Sequence, residues 1–136
     1  MIVVAVGLII DNGKVLLCQR KKTARYALKW EFPGGKKEHG ETIEDCLRRE
    51  LREELEIDAE IGALYHRQGY NYSDSGSFDV HYYIVPSYRG EMKNHVFESI
   101  EWIPLSSLLS YDILEGNTDV ARKLTFYIRE TEPREK

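Results

Sequence analysis

The strongest constraint on this chain is one helical stretch, Thr42 to Glu56, whose carboxylates fall where a helix normally carries apolar residues. Thr42, with Asp45 three residues on, reads as an N-cap with a short acid in the capping-box position. At about 100° per residue, Ile43, Cys46, Leu47, Leu51 and Leu55 form one apolar arc. Glu50 and Glu54 fall inside it, about 20° to either side of Ile43, and Glu53 lies at its edge, about 80° away. Asp45, Arg48, Arg52 and Glu56 group on the opposite, solvated side. Like charges at i,i+3 and i,i+4 cost about 0.2–0.5 kcal/mol per pair on an exposed helix, and burial raises that cost steeply. A core-facing acidic cluster is therefore paired with cations or bound to a metal. Oxygen-only ligands select a hard ion, Mg²⁺ or Mn²⁺, over zinc. The alternative is an ordinary charged helix with surface pairs such as Arg49–Glu53.

The segments around this helix set the architecture. Val3 to Ile10 is a β-branched run without helical period, and Asp11-Asn12-Gly13 is turn chemistry leading to a second strand, Lys14 to Gln19. Lys21 to Lys29 reads as a basic loop. Lys29 to Phe32 extends briefly before Pro33-Gly34-Gly35 breaks the chain. Glycines there let the backbone approach a ligand, and a carbonyl at this point is a candidate metal ligand. Ile61 to Tyr70 and Ser77 to Val85 read as strands separated by a loop at Asn71 to Gly76. Ile100 to Ile103 is a further strand, Pro104-Leu105-Ser106 opens a helical turn, Thr118 to Arg129 is a C-terminal helix, and Glu130 to Lys136 is a charged tail. No repeat or linker divides the chain, so residues 1–136 are expected to form a single domain, a mixed sheet with helices on its faces.

Composition excludes some functions. Lys plus Arg is 19 against 23 Asp plus Glu, a net charge of -4. A binder of polymeric nucleic acid or of acidic membranes is normally more basic. Two cysteines, Cys18 and Cys46, are too few for a disulfide framework. The histidines, His39, His66, His81 and His95, lack paired-ligand spacing. Met1 to Ile10 has no basic leader or cleavage site and is too short to span a bilayer, which favours the cytoplasm.

From Gly35 the chain reads Gly, five residues, Glu41, seven residues, then Arg49-Glu50-Leu51-Arg52-Glu53-Glu54-Leu55-Glu56-Ile57. This pattern resembles the Nudix box of the Nudix (MutT-like) hydrolases, and Trp30-Glu31-Phe32-Pro33-Gly34 looks like the lead-in to it. One position departs: the family usually has a helix-ending Gly where this chain has Glu56. The resemblance implies an α/β/α sandwich with a mixed β-sheet between helices. It also implies hydrolysis of a nucleoside diphosphate linked to another group, by water attacking phosphorus with Mg²⁺ or Mn²⁺ in place. On the same basis Glu53 and Glu54 are metal ligands, Glu50 is a ligand or the general base, and the Gly34 carbonyl completes the shell. Gly35 is a structural position of the box, Glu41 holds the loop or binds the metal outer-sphere, and Arg49 orients a glutamate. Glu98, before Ser99-Ile100-Glu101-Trp102, resembles a downstream acid that supplies a ligand or base in several members. Arg20 sits where MutT-like enzymes place a substrate-contacting arginine. Lys36 is a candidate phosphate contact, and Phe32, in the lead-in, a candidate substrate contact.

Leu114-Glu115-Gly116-Asn117, followed by Val120 and Leu124, resembles the segment with which MutT-like nucleoside triphosphatases contact the base. Asn117 is therefore the expected base reader, with a helix N-cap as its rival role. The resulting expectation is a pyrophosphohydrolase acting on a small nucleoside polyphosphate, with 8-oxo-dGTP favoured. CTP or dCTP is the alternative, and a non-catalytic nucleotide-binding Nudix module a more distant one. The enzyme is expected as a monomer or homodimer, without polymeric nucleic acid or membrane as partner.

Overall fold

The computed structural model describes residues 1–74 and 76–127 of the chain. Strand β1 (Ile2–Asp11) joins β2 (Lys14–Gln19) in a hairpin. Asn12 and Gly13 both adopt positive φ, 52° and 76°, as a two-residue hairpin turn of matching twist requires. Then come β3 (Trp30–Glu31), β4 (Gly34–Lys36), α1 (Ile43–Leu55), β5 (Asp58–Glu60), β6 (Leu64–Tyr72), β7 (Gly76–Val85), β8 (Ser87–Arg89), β9 (Ser99–Pro104) and α2 (Thr118–Leu124). Short 3-10 turns at Leu105–Ser110 and Glu115–Asn117 lie between the last two.

Seven strands form one mixed sheet, and β5 pairs with β8 apart from it. On one edge β1 runs parallel to β7 from Ile2–Phe78 to Ile9–Val85. On the other it pairs with β4 at Val4–Val6 and with β2 only at Ile10 and Asp11. The two hairpin strands thus part early. Residues 30–36 fill the fork, Trp30 and Glu31 on β2 and Gly34 to Lys36 on β1. Strand alternation gives each face its own core. Val6, Leu8, Val15, Leu17 and Tyr82 pack with Val120 and Leu124 of α2. Ala5, Ile9, Leu16 and Cys18 pack with Cys46, Leu47, Leu51 and Leu55 of α1. The result is the expected sheet between helical layers.

The structure corrects several boundaries. Gly34-Gly35 is not a break but part of strand β4, held by the backbone ladder to β1. Strand β6 starts at Leu64 and runs on to Tyr72, shortening the expected loop, and β5 and β8 are additional. Helix α2 ends at Leu124 and gives way to a turn, and the expected Glu130–Lys136 tail lies outside the described residues. Helix α1 keeps its expected start, with Thr42 Oγ1 accepting from the Asp45 N–H at 3.0 Å. Its end explains the departure at Glu56. This residue takes the left-handed conformation, φ 60°, that glycine usually supplies at a helix terminus. The Glu56 carboxylate meets His95 Nε2 at 2.9 Å and Lys93 Nζ at 3.6 Å, so surface pairing accompanies the unusual backbone.

Candidate active site

Helix α1 presents its carboxylates to the fork in the sheet. Cys46, Leu47, Leu51 and Leu55 are buried, and Glu50 and Glu54 reach out between them and β4. Gly35 makes room for Glu50: a Cβ there would stand 2.2 Å from Glu50 Oε1. The Gly34 N–H donates to Glu54 Oε1 at 3.2 Å. Glu53, at the edge of the arc, has a side chain 59% exposed. Arg49 ties the group together. Its guanidinium donates to both oxygens of Glu41 at 2.8 and 3.1 Å, to Glu50 at 2.8 Å and to Glu53 at 3.1 Å. It also reaches the Lys36 carbonyl at 3.2 Å, which fastens β4 to the helix.

The carboxyls divide by environment. Hydrogen bonds from Arg49 and from the Glu38 N–H hold Glu41 down at about 2. Burial, then the charges of Glu50 and Glu31, push Glu54 up to about 9. Burial also raises Glu50, with Arg49 opposing it. The folded chain therefore holds the Glu54 proton more tightly than the unfolded chain, whose value is near 4.5. That contribution to stability is full below the unfolded value and is lost as pH rises through the folded one. With metal chelated, the melting temperature is expected to fall between pH 5 and pH 9. Calorimetry should show a shallower decline in Glu54→Gln, and an unchanged slope in that variant would contradict the buried seat of Glu54.

Oxygen-only donors at Glu50 and Glu54, the latter held protonated by burial, fit a hard divalent cation. Among the described residues no three acidic, His or Cys side chains form a ready-made cage. Arg49 draws Glu50 and Glu53 to itself, and Glu98 is exposed on the loop before β9, with its N–H on the Gln19 carbonyl. Glu98 does not line the cleft beside Glu54.

That cleft measures about 560 Å³, within the range of small-ligand sites. Val6, Phe78 and Val80 from the sheet form its apolar floor, and Glu54, Gly34, Gly35 and Lys36 its polar end. Arg20 and Phe32 also line it. The Arg20 guanidinium meets both oxygens of Glu31 at 3.2 and 3.3 Å and the Arg25 carbonyl at 2.7 Å, so it braces the wall and the basic loop. Tyr26 and Arg25 of that loop reach across to Asp74. Asn117 is buried at the cleft wall, and its side chain makes no cap bond to α2, which removes the N-cap role. Instead Oδ1 accepts from the Phe32 N–H and Nδ2 donates to the Tyr82 hydroxyl, both at 3.1 Å.

Residues 1–124 match the profile described as the NUDIX domain. The chain belongs to the Nudix family of MutT-like hydrolases. It is 34% identical over 122 residues to the 8-oxo-dGTP diphosphatase of Escherichia coli, covering 89% of this chain and 94% of that one. It is also 34% identical over 116 residues to the CTP pyrophosphohydrolase of the same organism, covering 83% of each. The solution structure of the E. coli ORF135 protein superposes with a TM-score of 0.84 at 30% identity, covering 99% of this chain and 95% of that chain. A MutT Nudix hydrolase from Burkholderia pseudomallei gives 0.80 at 26%, covering 90% and 96%. As a Nudix hydrolase the chain acts on phosphoric anhydride bonds. Among its described residues no helix is long and apolar enough to cross a membrane.

Sequence reasoning missed Glu31, which lines this Nudix cleft, and Tyr82, which is buried behind Asn117. Glu31 sits in a two-residue strand with no periodicity to mark it, and its acidity within an otherwise basic and apolar lead-in was the available signal. Tyr82 was hidden in the apolar run of β7.

Proposed function

We propose that this chain is a nucleoside triphosphate pyrophosphohydrolase, releasing a monophosphate and pyrophosphate, with an oxidised purine such as 8-oxo-dGTP as the favoured substrate and Mg²⁺ or Mn²⁺ as cofactor. The observation that carries the reading is the fixed amide of Asn117, set into the wall of a cleft whose other end holds Glu54. After its bonds to Phe32 and Tyr82 the amide retains one N–H and one acceptor lone pair, enough for a two-point contact with a purine edge.

In this reading Glu50 and Glu54 hold the cation, with Glu53 joining from its exposed place on Arg49 and the Gly34 carbonyl as a further donor. When bound, the ion would supply positive charge to the non-reacting phosphate oxygens. Lys36 adds charge at the phosphate end. Arg49 sets the orientation of Glu50, whose second role, in place of that of ligand, is to take the proton of the attacking water. Arg20 steadies Glu31 and the loop. Glu98, outside the cleft lining, is left out of this assignment.

Asn117→Ala tests the reading. Losing a two-point base contact is expected to cost about 1–3 kcal/mol of discrimination in kcat/KM between 8-oxo-dGTP and dGTP. The melting temperature should fall too, because the buried Phe32 N–H loses its partner, at about 1–3 kcal/mol. A substrate ranking that does not change across a panel of purine and pyrimidine triphosphates would remove the purine assignment. The panel also addresses a second reading, a cytidine nucleotide. Glu31 favours that one, since a carboxylate on the cleft wall is the acceptor that the N4 amine of cytosine uses.

A further inference from the structure

We infer that Tyr82 is a specificity-positioning residue, whose hydroxyl, together with the Phe32 N–H, holds the Asn117 amide in one orientation toward the cleft; this rests on the reading of Asn117 as the base contact. Tyr82 lies in β7 and is fully buried, in the core between the sheet and α2. Its hydroxyl donates to the Gly116 carbonyl at 3.1 Å. A carbonyl can only accept, so the single phenolic proton is committed there, and the oxygen is left to accept from Asn117 Nδ2. At the other end of the amide, the Phe32 N–H can only donate, so it selects Oδ1. The Phe32 N–H has no second option, and the Tyr82 hydroxyl favours the same assignment as long as its proton stays on the Gly116 carbonyl. A flipped amide would set hydrogen against hydrogen at Phe32 and would keep a bond at Tyr82 only if the phenolic proton left the Gly116 carbonyl.

Further hydrogen bonds and a close approach frame this network. The Gly116 N–H donates to the Tyr72 hydroxyl at 3.2 Å, and Gln68 Nε2 donates to the Gly116 carbonyl at 3.4 Å. A Cβ on Gly116 would stand 2.2 Å from the Tyr72 oxygen, so the segment is pressed against β6 with no room for a side chain. Burial raises the Tyr82 phenol well above its usual range, so it keeps its proton at any working pH. An ordinary and an oxidised purine differ at one edge by an acceptor replaced by a donor. An amide of fixed orientation separates them, whereas one that flips freely serves either.

The experiment is a cycle of Tyr82→Phe, Asn117→Ala and the double variant, with kcat and KM measured separately for 8-oxo-dGTP and dGTP. Tyr82→Phe is expected to lower the ratio of the two kcat/KM values about 3- to 10-fold, and Asn117→Ala about 10- to 100-fold. The double variant should match Asn117→Ala alone, because Tyr82 acts through the amide. A Tyr82→Phe loss shared equally by both substrates, with Asn117→Ala still altering the ratio, assigns Tyr82 a purely structural role and overturns the inference. So does a Tyr82→Phe effect that persists in full without Asn117. An unchanged ratio in Asn117→Ala overturns the base-contact reading and the specificity role together. NMR of the wild type separates that case and serves if Tyr82→Phe does not fold. Slowly exchanging Asn117 side-chain amide protons with contacts to the Tyr82 ring support the fixed amide, and a rapidly exchanging, freely rotating amide refutes it.

Discussion

Glu54→Gln is expected to keep the fold and to lower turnover by about two to four orders of magnitude. The substitution keeps the size of the side chain and its acceptor for the Gly34 N–H, so β4 should stay in place. What it removes is the negative charge that a cation would draw out of a carboxyl otherwise held protonated by burial. Without metal, the melting temperature should hold or rise, since above the unfolded value only the unfolded wild-type chain gains by ionising Glu54, and glutamine has no proton to lose. The rise in melting temperature that millimolar Mg²⁺ gives the wild type, through binding to the folded state alone, should shrink. Near-normal Mg²⁺-dependent activity in this variant would sink the assignment of Glu54 to the metal.

Substituting the two adjacent glycines of β4 is expected to do opposite things. Gly34 has φ +155°, and a Cβ there would lie 2.1 Å from the Ala5 carbonyl oxygen. Neither that backbone angle nor the neighbouring strand can relax cheaply, so Gly34→Ala should destabilise by about 3 kcal/mol or more, a drop of roughly 10 °C or more in melting temperature. At Gly35 the obstacle is the carboxylate end of Glu50, a flexible side chain that can swing away. Gly35→Ala should therefore melt close to the wild type but lose most of its activity, because Glu50 is displaced from the fork. Thermal melts and turnover measured on both variants separate the two outcomes. Equal losses of stability would show that the Glu50 side chain cannot swing out of its seat as described.

These contrasts mark where the sequence was legible. Helix α1 was readable because Thr42 caps it and because its apolar positions repeat with the helical period; the intrusion of Glu50 and Glu54 into that period pointed to the site. The pattern failed where side chains carry no period. Strand β4 contains two glycines and is defined by backbone pairing with β1, so it read as a turn. Strands β5 and β8 are three residues each, too short for alternation to show. Asn117 was singled out as the base reader and lines the cleft, but its partners lie 85 and 35 positions away, and no local signal links them. Tyr82 shows the same limit: a phenol in an apolar run looks like filling, and its hydroxyl acquires meaning only when Gly116 and Asn117 are brought against it.

The seam at β1 also bears on how the protein is made. Ile2 pairs with Phe78, more than half the chain away, and this parallel edge continues to Ile9 and Val85. As the polypeptide leaves the ribosome, the β1–β2 hairpin and the box helix come out well before β7, so the apolar edge of β1 stays open through a large part of synthesis. An unpaired edge of this kind recruits strands from neighbouring chains, and its closure over such a distance is slow. Crowded or rapid production should therefore favour aggregation of nascent protein over loss of the finished enzyme. A fragment ending at Ile57 would carry every residue of the box and still leave the β7 side of β1 unpaired.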